Sequence, residues 1–353
     1  MRALASISSM RAFRGAPLVL LLALLVAGCG GGGGGKSSAE TSTVGKGPLR
    51  VGLVTDIGQL NDHGFNQLAY GGLLRAEKVL GVKGRVYQSA SPADYIPNLS
   101  AFARQGYDLV ISVGFDQAAA IAKAAAAYPK THFAIVDVSN ADLTGKPANV
   151  RGLIFKEQEA GYLAGYAAAL QLRGTRGPHV IGSVGGEKQP PVDRYIAGYQ
   201  AGAKAADPTI RLLNGYSQDW VDQAKCKELA LDQMQAGAKV VFAVAGGCGL
   251  GVLDAAKEQK VWAIGVDADQ GYLGTQVLTS ALKKVDQAVF LTIQDVKDGT
   301  FKGGEDSVFG LDRDGVGVGR FSPRSKPGLA AAVAKVRQQI VSGVVKNIPT
   351  TVP

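Results

Sequence analysis

From Leu49 onward, short apolar runs bounded by turn residues alternate with segments of helical periodicity, and this alternation restricts the fold more than any other feature. It predicts strands at 49–55, 84–88, 108–113, 132–137 and 150–154, with helices near 65–79, 94–105, 116–127 and 158–171. A second series follows, with strands near 178–184, 209–214, 240–245, 261–266 and 277–281 and helices near 192–205, 222–236, 249–259 and 284–298. Repeated βα units imply parallel sheets with helices on both faces, the α/β class. Two sets of about five strands imply two similar lobes, although no sequence repeat connects them. The tail reads as an irregular part, 305–321, and then a helix near 327–342. A chain of 353 residues is long enough for about two domains.

Residues 1–28 read as an export signal. Arg2, Arg11 and Arg14 accompany an apolar run from Ala16 to Ala27, which is shorter than a bilayer span. Val26-Ala27-Gly28-Cys29 resembles a bacterial lipobox, so Cys29 is the expected lipid-attachment site. The unbroken glycine run Gly30 to Gly35, then Lys36, Ser37 and Ser38, suits a flexible tether over 29–48, because such a composition cannot build a core. The expected location is the cell membrane, lipid-anchored and facing the extracytoplasmic side. The formal net charge is +9 for the whole chain and +6 without the three leader arginines. That excess is spread out, with no basic block and no interleaved aromatic stripe, so nucleic acid is not an expected partner.

In open α/β sheets, ligands sit beyond the carboxyl ends of the strands. The first strand, Val51-Gly52-Leu53-Val54-Thr55-Asp56, ends in a carboxylate, and Asn61-Asp62-His63-Gly64-Phe65-Asn66-Gln67 leads into the first helix. Asp56, Asn61, Asp62, Phe65 and Asn66 are therefore expected at one cleft lip. Carboxylates, amides and an aromatic face, with no Lys or Arg, suit a neutral, polyhydroxylated, ring-bearing ligand. Asn61 or Asp62 equally suits a helix N-cap, with Phe65 in the core. Asp137 and Asp267 close later strands in the same manner, and Asp267 has the chemistry to accept two hydrogen bonds from a cis diol. Each also suits a loop cap. Trp220, in a loop, is a stacking candidate or a packing residue. Lys283 follows a strand expected to connect the lobes and is a candidate donor to ligand oxygens, or else a surface charge.

The run Ala245-Gly246-Gly247-Cys248-Gly249-Leu250-Gly251, with Asp267 about 20 positions on, imitates a dinucleotide fingerprint. Val252 stands where its third glycine belongs, and the run lies deep in the chain, so no cofactor is expected. Gly246 is read instead as a place where backbone approaches a ligand closely. His63, His132 and His179 are scattered without metal-ligand spacing, and Ser183-Val184-Gly185-Gly186 lacks the pattern of a nucleophile elbow. A two-lobed α/β protein without a catalytic set reads as a binder rather than an enzyme; a secreted NAD-dependent enzyme is the remote alternative. Cys226, near a helix start, and Cys248, past the end of the next strand, are expected at one edge of the second lobe, where they suit either a disulfide or two buried thiols.

Taken in order, Val54-Thr55-Asp56, Gly64-Phe65-Asn66-Gln67, Ala160 to Leu170, Val244-Ala245-Gly246-Gly247, Ile264-Gly265-Val266-Asp267 and Leu278-Thr279-Ser280 resemble the basic membrane protein family of ABC-transporter substrate-binding lipoproteins, which includes the purine nucleoside receptors. The resemblance covers nearly the whole mature chain. It implies a type I periplasmic binding fold, two lobes joined by a multi-strand hinge around a ligand cleft. The lobes are expected at 49–154 plus about 278–304 and at 155–277 plus about 305–353. The resemblance further implies a purine nucleoside sandwiched by Phe65 and Trp220. Asp267 and Lys283 would hold the ribose side, with Asn66 and Asp62 approaching from the first lobe. The implied partners are an ABC permease and its ATPase, and a monomer is expected. The chain departs from the family in Asp62-His63-Gly64 before Phe65, in Trp220 at the second aromatic position, and in the loop Glu187 to Arg194. A sugar binder or a ligand sensor of the same fold remains the alternative.

Overall fold

The computed structural model describes residues 47–352; the expected leader, Cys29 and the tether up to residue 46 lie outside them. The chain runs through β1 (Arg50–Val54), α1 (Phe65–Leu80), β2 (Lys83–Tyr87), α2 (Tyr95–Arg104), β3 (Leu109–Val113), α3 (Ala118–Ala127), β4 (His132–Val136) and β5 (Val150–Phe155). It continues through α4 (Glu157–Leu172), β6 (Val180–Gly185), α5 (Pro190–Ala206), β7 (Arg211–Tyr216), α6 (Gln223–Gln235), β8 (Val240–Val244), α7 (Leu250–Glu258) and β9 (Trp262–Asp267). It ends with β10 (Val277–Lys283), α8 (Val285–Lys297), β11 (Asp306–Phe309), β12 (Val316–Val318) and α9 (Leu329–Val341).

Two six-stranded sheets form, in the orders β11-β5-β4-β3-β1-β2 and β12-β10-β9-β8-β6-β7. Position for position the orders correspond, so the two lobes share one strand order without a shared sequence, and differ only in the direction of the edge strands β11 and β12. All pairings are parallel except β10 with β12. The strand patterns follow from these places. β3 and β8, inside their sheets, are buried at every residue, whereas β2 and β7, at the edges, are half exposed. In each sheet the chain steps outward in opposite directions from the first strand, so the switch points fall between β1 and β3 and between β6 and β8. Ligand crevices form at such points.

The chain crosses between the sheets three times: through α4 after β5, through α8 after β10, and between β11 and β12. α4 is apolar nearly all round and packs closely on α5; a Cβ at Gly165 would run into the backbone of Tyr199. This crossing fixes the start of α5 at the cleft.

Two expectations are corrected here. The stretch 305–321 is not wholly irregular, because it contains β11 and β12. Only Val308 and Phe309 are apolar in β11, so it has no strand signature of its own. Its order comes from β5, from the Phe155–Phe309 ring stack at 5.1 Å, and from Asp306, which accepts from the Asn140 amide at 2.8 Å. The sheets also divide the chain differently from the expected lobe boundaries. β10 pairs with β9 in the second sheet, while α8 packs on α1 and β11 joins the first sheet.

Candidate functional site

A cleft lies between the carboxyl ends of the two sheets. Its walls include Asp56, Asp62, Phe65, Asn66 and Asp137 from the first lobe and Trp220, Gly246, Asp267 and Lys283 from the second. The structure thus brings together all the candidate ligand residues but one. Asn61 is exposed and lines a separate surface depression with Gln59 and Gln67. The reason is local. Asp62 turns inward to cap α1 from two residues outside it, accepting from the amides of Gly64 (2.9 Å), Asn66 (2.7 Å) and Gln67 (3.2 Å), and that turn points its neighbour outward. Asp62 therefore lines the cleft with a carboxylate already committed to the helix start.

Asp56 and Asn66 form the first-lobe wall. Asp56 Oδ1 accepts from the Gly58 amide and from Asn66 Nδ2, each at 2.8 Å, so both protein bonds fall on one oxygen. Asn66 also donates to Asp62 at 3.2 Å, and its Oδ1 is buried without a partner among the described residues. Burial, with Asp62 and Asp116 nearby, pushes the Asp56 carboxyl up to about 7 against these hydrogen bonds.

Asp137 follows β4 directly and Asp267 ends β9, the corresponding strand of the second sheet, and both hold left-handed backbone angles, φ 76° and 60°. Non-glycine residues rarely do so, and such strain concentrates at functional sites. Between them sits Lys283, only 2% exposed. Its Nζ donates to Asp137 Oδ2 at 2.7 Å and lies 3.0 Å from Glu157 Oε1. Glu157, fully buried at the start of α4, accepts from Arg194 Nε at 2.7 Å. Burial opposes the Lys283 charge, but Asp137, Glu157 and Asp267 outweigh it and hold the ammonium above its ordinary value. Burial pushes Asp267 up to about 7 even with Lys283 close by; its Oδ1 accepts from the Tyr195 hydroxyl at 3.2 Å.

The aromatic walls come from both lobes. Phe65 is half-buried, with the Lys283 ammonium 5.0 Å from its ring centre. Trp220 lies over Gly186, where a Cβ would collide with the indole ring, so glycine makes the shelf. The Trp220 carbonyl accepts from the Cys248 amide at 2.9 Å, which ties the loop to the Gly246–Gly249 turn, and its buried indole Nε1 lies beside the Asp116 carboxyl. Cys248 is joined to Cys226 in a disulfide, Cα to Cα 5.6 Å, so of the two states open to these cysteines the structure contains the bridge.

A family model for Bmp, described as ABC transporter substrate-binding protein PnrA-like, matches residues 49–349. The chain belongs to the Bmp family. Among Bmp relatives, the CD4+ T-cell-stimulating antigen of Listeria monocytogenes is 36% identical over 318 residues, 84% of this chain and 87% of that protein. The ABC transporter nucleoside-binding protein BmpA of Lactococcus lactis is 36% identical over 325 residues, 86% and 90% of the two chains. A solved ABC transporter solute-binding protein from Aeropyrum pernix superposes with a TM-score of 0.77 at 27% identity, covering 86% of this chain and 94% of that one. Another, from Conexibacter woesei, gives 0.70 at 27% identity, covering 86% and 100%. The Bmp chain is accordingly a substrate-binding protein of an ABC transporter with the type I periplasmic binding fold, and that role implies a permease partner. Among the described residues, no helix is long and apolar enough to cross a membrane, and no group of three or more His, Cys, Asp and Glu side chains is placed to hold a metal ion.

Sequence reasoning missed several residues of this Bmp cleft. Asp116, two residues past Gly114 at the end of β3, follows the strand-end rule that singled out Asp56, and it stands at the switch point. Gln189 and Tyr195 enter from the start of α5. Glu157, which does not line the cleft but pairs with Lys283 behind it, reads in the sequence as an ordinary acid in a first helical turn; nothing local signals its burial.

Proposed function

We propose that the cleft captures a purine nucleoside and delivers it to a permease driven by an ATPase. The observation that carries this reading is the pair Phe65 and Trp220, one from each lobe, in a cleft whose other charged walls are carboxylates around a single lysine. A planar base suits two aromatic faces, each worth roughly 1–3 kcal/mol in stacking. Asp56 Oδ2 and Asn66 Oδ1 suit N–H donors on a base edge, and Asp267 suits a ribose diol. The name of the L. lactis relative, nucleoside-binding, supports the same reading. Hinge motion about the three crossings would open and close the lobes.

Calorimetry with guanosine, inosine and adenosine tests the assignment. Binding is expected, with Trp220→Ala weakening it by about 1–3 kcal/mol. Because the Asp56 and Asp267 carboxyls both titrate near 7, affinity is expected to fall as pH drops from 8 to 6 and both acceptors take protons. Heat with none of the three nucleosides would reject the nucleoside and favour a sugar.

Anchoring through lipidated Cys29 belongs to the same proposal. Cys29→Ser is expected to release the protein from membranes; a variant that still sediments with them after a salt wash rules the anchor out.

A further inference from the structure

The lobes touch across the mouth of the cleft at two lips. At one, Gln270 Nε2 donates to the His63 carbonyl at 3.1 Å, and the Tyr272 hydroxyl lies 2.7 Å from His63 Nδ1. At the other, Gln189 Nε2 donates to Asp116 Oδ1 at 2.7 Å and to Glu187 Oε2 at 2.9 Å. Asp116 belongs to the first lobe, Gln189 and Glu187 to the second.

We propose that Gln189 is a clasp residue, oriented by Glu187 and acting through Asp116, that sets how long the closed cleft holds its ligand. Three features of the geometry support this. Both mountings are stiff. Gln189 is extended, φ −125° and ψ 156°, directly before Pro190 and Pro191, whose rings fix the next backbone angles. Asp116 follows Gly114 at the end of a fully buried strand, within a short helical turn. The amide is also aimed. Each of its two N–H bonds has a carboxylate to meet, and because Glu187 accepts one, the amide presents its nitrogen rather than its oxygen to Asp116. Finally, the bond crosses lobes and is charge-assisted, the stronger kind. Without the amide, Asp116 and Glu187 would face each other as like charges, so losing Gln189 removes an attraction and exposes a repulsion. Burial and Glu187 already raise the Asp116 carboxyl, the direction such crowding requires. The clasp does not depend on which ligand the cleft holds.

Stopped-flow binding of guanosine to the full chain and to Gln189→Ala, Asp116→Ala and the double variant tests the clasp. Gln189→Ala is expected to raise the dissociation rate about five- to tenfold, the loss of one partly exposed hydrogen bond to a charge, with the association rate within about twofold of the parent. The double variant is expected to dissociate no faster than the quicker single variant, since both changes break one bond. Multiplicative effects in the double variant would mean that each side chain touches ligand independently and would overturn the clasp, as would a dissociation rate unchanged in Gln189→Ala. If the parent binds none of guanosine, inosine and adenosine, the nucleoside reading fails and hydrogen exchange decides the clasp without ligand. Faster exchange at the amides of 114–118 in Gln189→Ala supports it, and unchanged exchange overturns it.

Discussion

Replacing Lys283 with Met is expected to destabilise the folded protein by about 3–5 kcal/mol, because it removes the cation from a buried pair and leaves the carboxylates behind. The side chain is 2% exposed, and its ammonium lies 2.6 Å from one Asp137 oxygen and 3.0 Å from Glu157. Glu157 retains Arg194, but among the described residues no other cation pairs with Asp137. Burial already pushes the Asp137 carboxyl up against the pull of Lys283. Without that pull its folded pKa rises further above the unfolded value. Its ionised form then costs more at neutral pH, and the variant recovers stability as acid supplies the missing proton. Denaturant unfolding of parent and variant at pH 8 and pH 5.5 should therefore show the larger deficit at pH 8. A deficit under about 1 kcal/mol at pH 8, or one that grows in acid, would contradict the buried ion cluster. Lys283→Arg is not expected to rescue it, since a planar guanidinium does not fill the place of a compact ammonium between three carboxylates. Binding should weaken as well, because Lys283 touches the cleft and lies against Phe65.

How much of this was legible follows from where each residue's order originates. The strand–helix alternation was legible because parallel strands covered on both faces must be apolar throughout, as Leu109–Val113 and Val240–Val244 are. β11 and β12 were not, since their pairing partners, rather than their side chains, make them strands. Nor was the sheet to which β10 belongs: Val277–Lys283 has the same apolar character whichever sheet it joins, and only its register against β9 decides. At the cleft, the strand-end rule placed Asp56, Asp137 and Asp267 because topology alone puts those residues there. Asn61 failed because a single carboxylate, Asp62, caps α1 and turns its neighbour out. Gln189 and Glu157 depend on how α4 and α5 cross, a relation between two helices, and no spacing within either helix encodes it.

The second large effect concerns the Cys226–Cys248 bridge, whose loss is expected to lower stability by about 3 kcal/mol in the chain-entropy model for a separation of 22 residues. Both cysteines are fully buried, one in α6 and one in the turn that carries Gly246 and Gly247 into the cleft. Cys248 also donates its amide to the Trp220 carbonyl, so the bridge, the turn and the aromatic wall form one mechanical unit. Cutting the bridge should then free the Trp220 loop as well as destabilise the lobe. Part of any ligand's binding energy would go to reordering that loop, and affinity would fall with stability. Replacing both cysteines with Ala adds the loss of buried sulfur atoms, so the parent unfolded and refolded in reductant is the necessary companion. Burial keeps reductant from the bridge in the native state; the parent's unfolding midpoint should drop in reductant only after incubation long enough to sample the unfolded chain, and that of the double variant should not move. Thiol counting on the denatured, unreduced protein should find neither cysteine free. Two free thiols, or a fully reduced parent that unfolds and binds as the oxidised one does, would show that the bridge does not hold the aromatic wall in place.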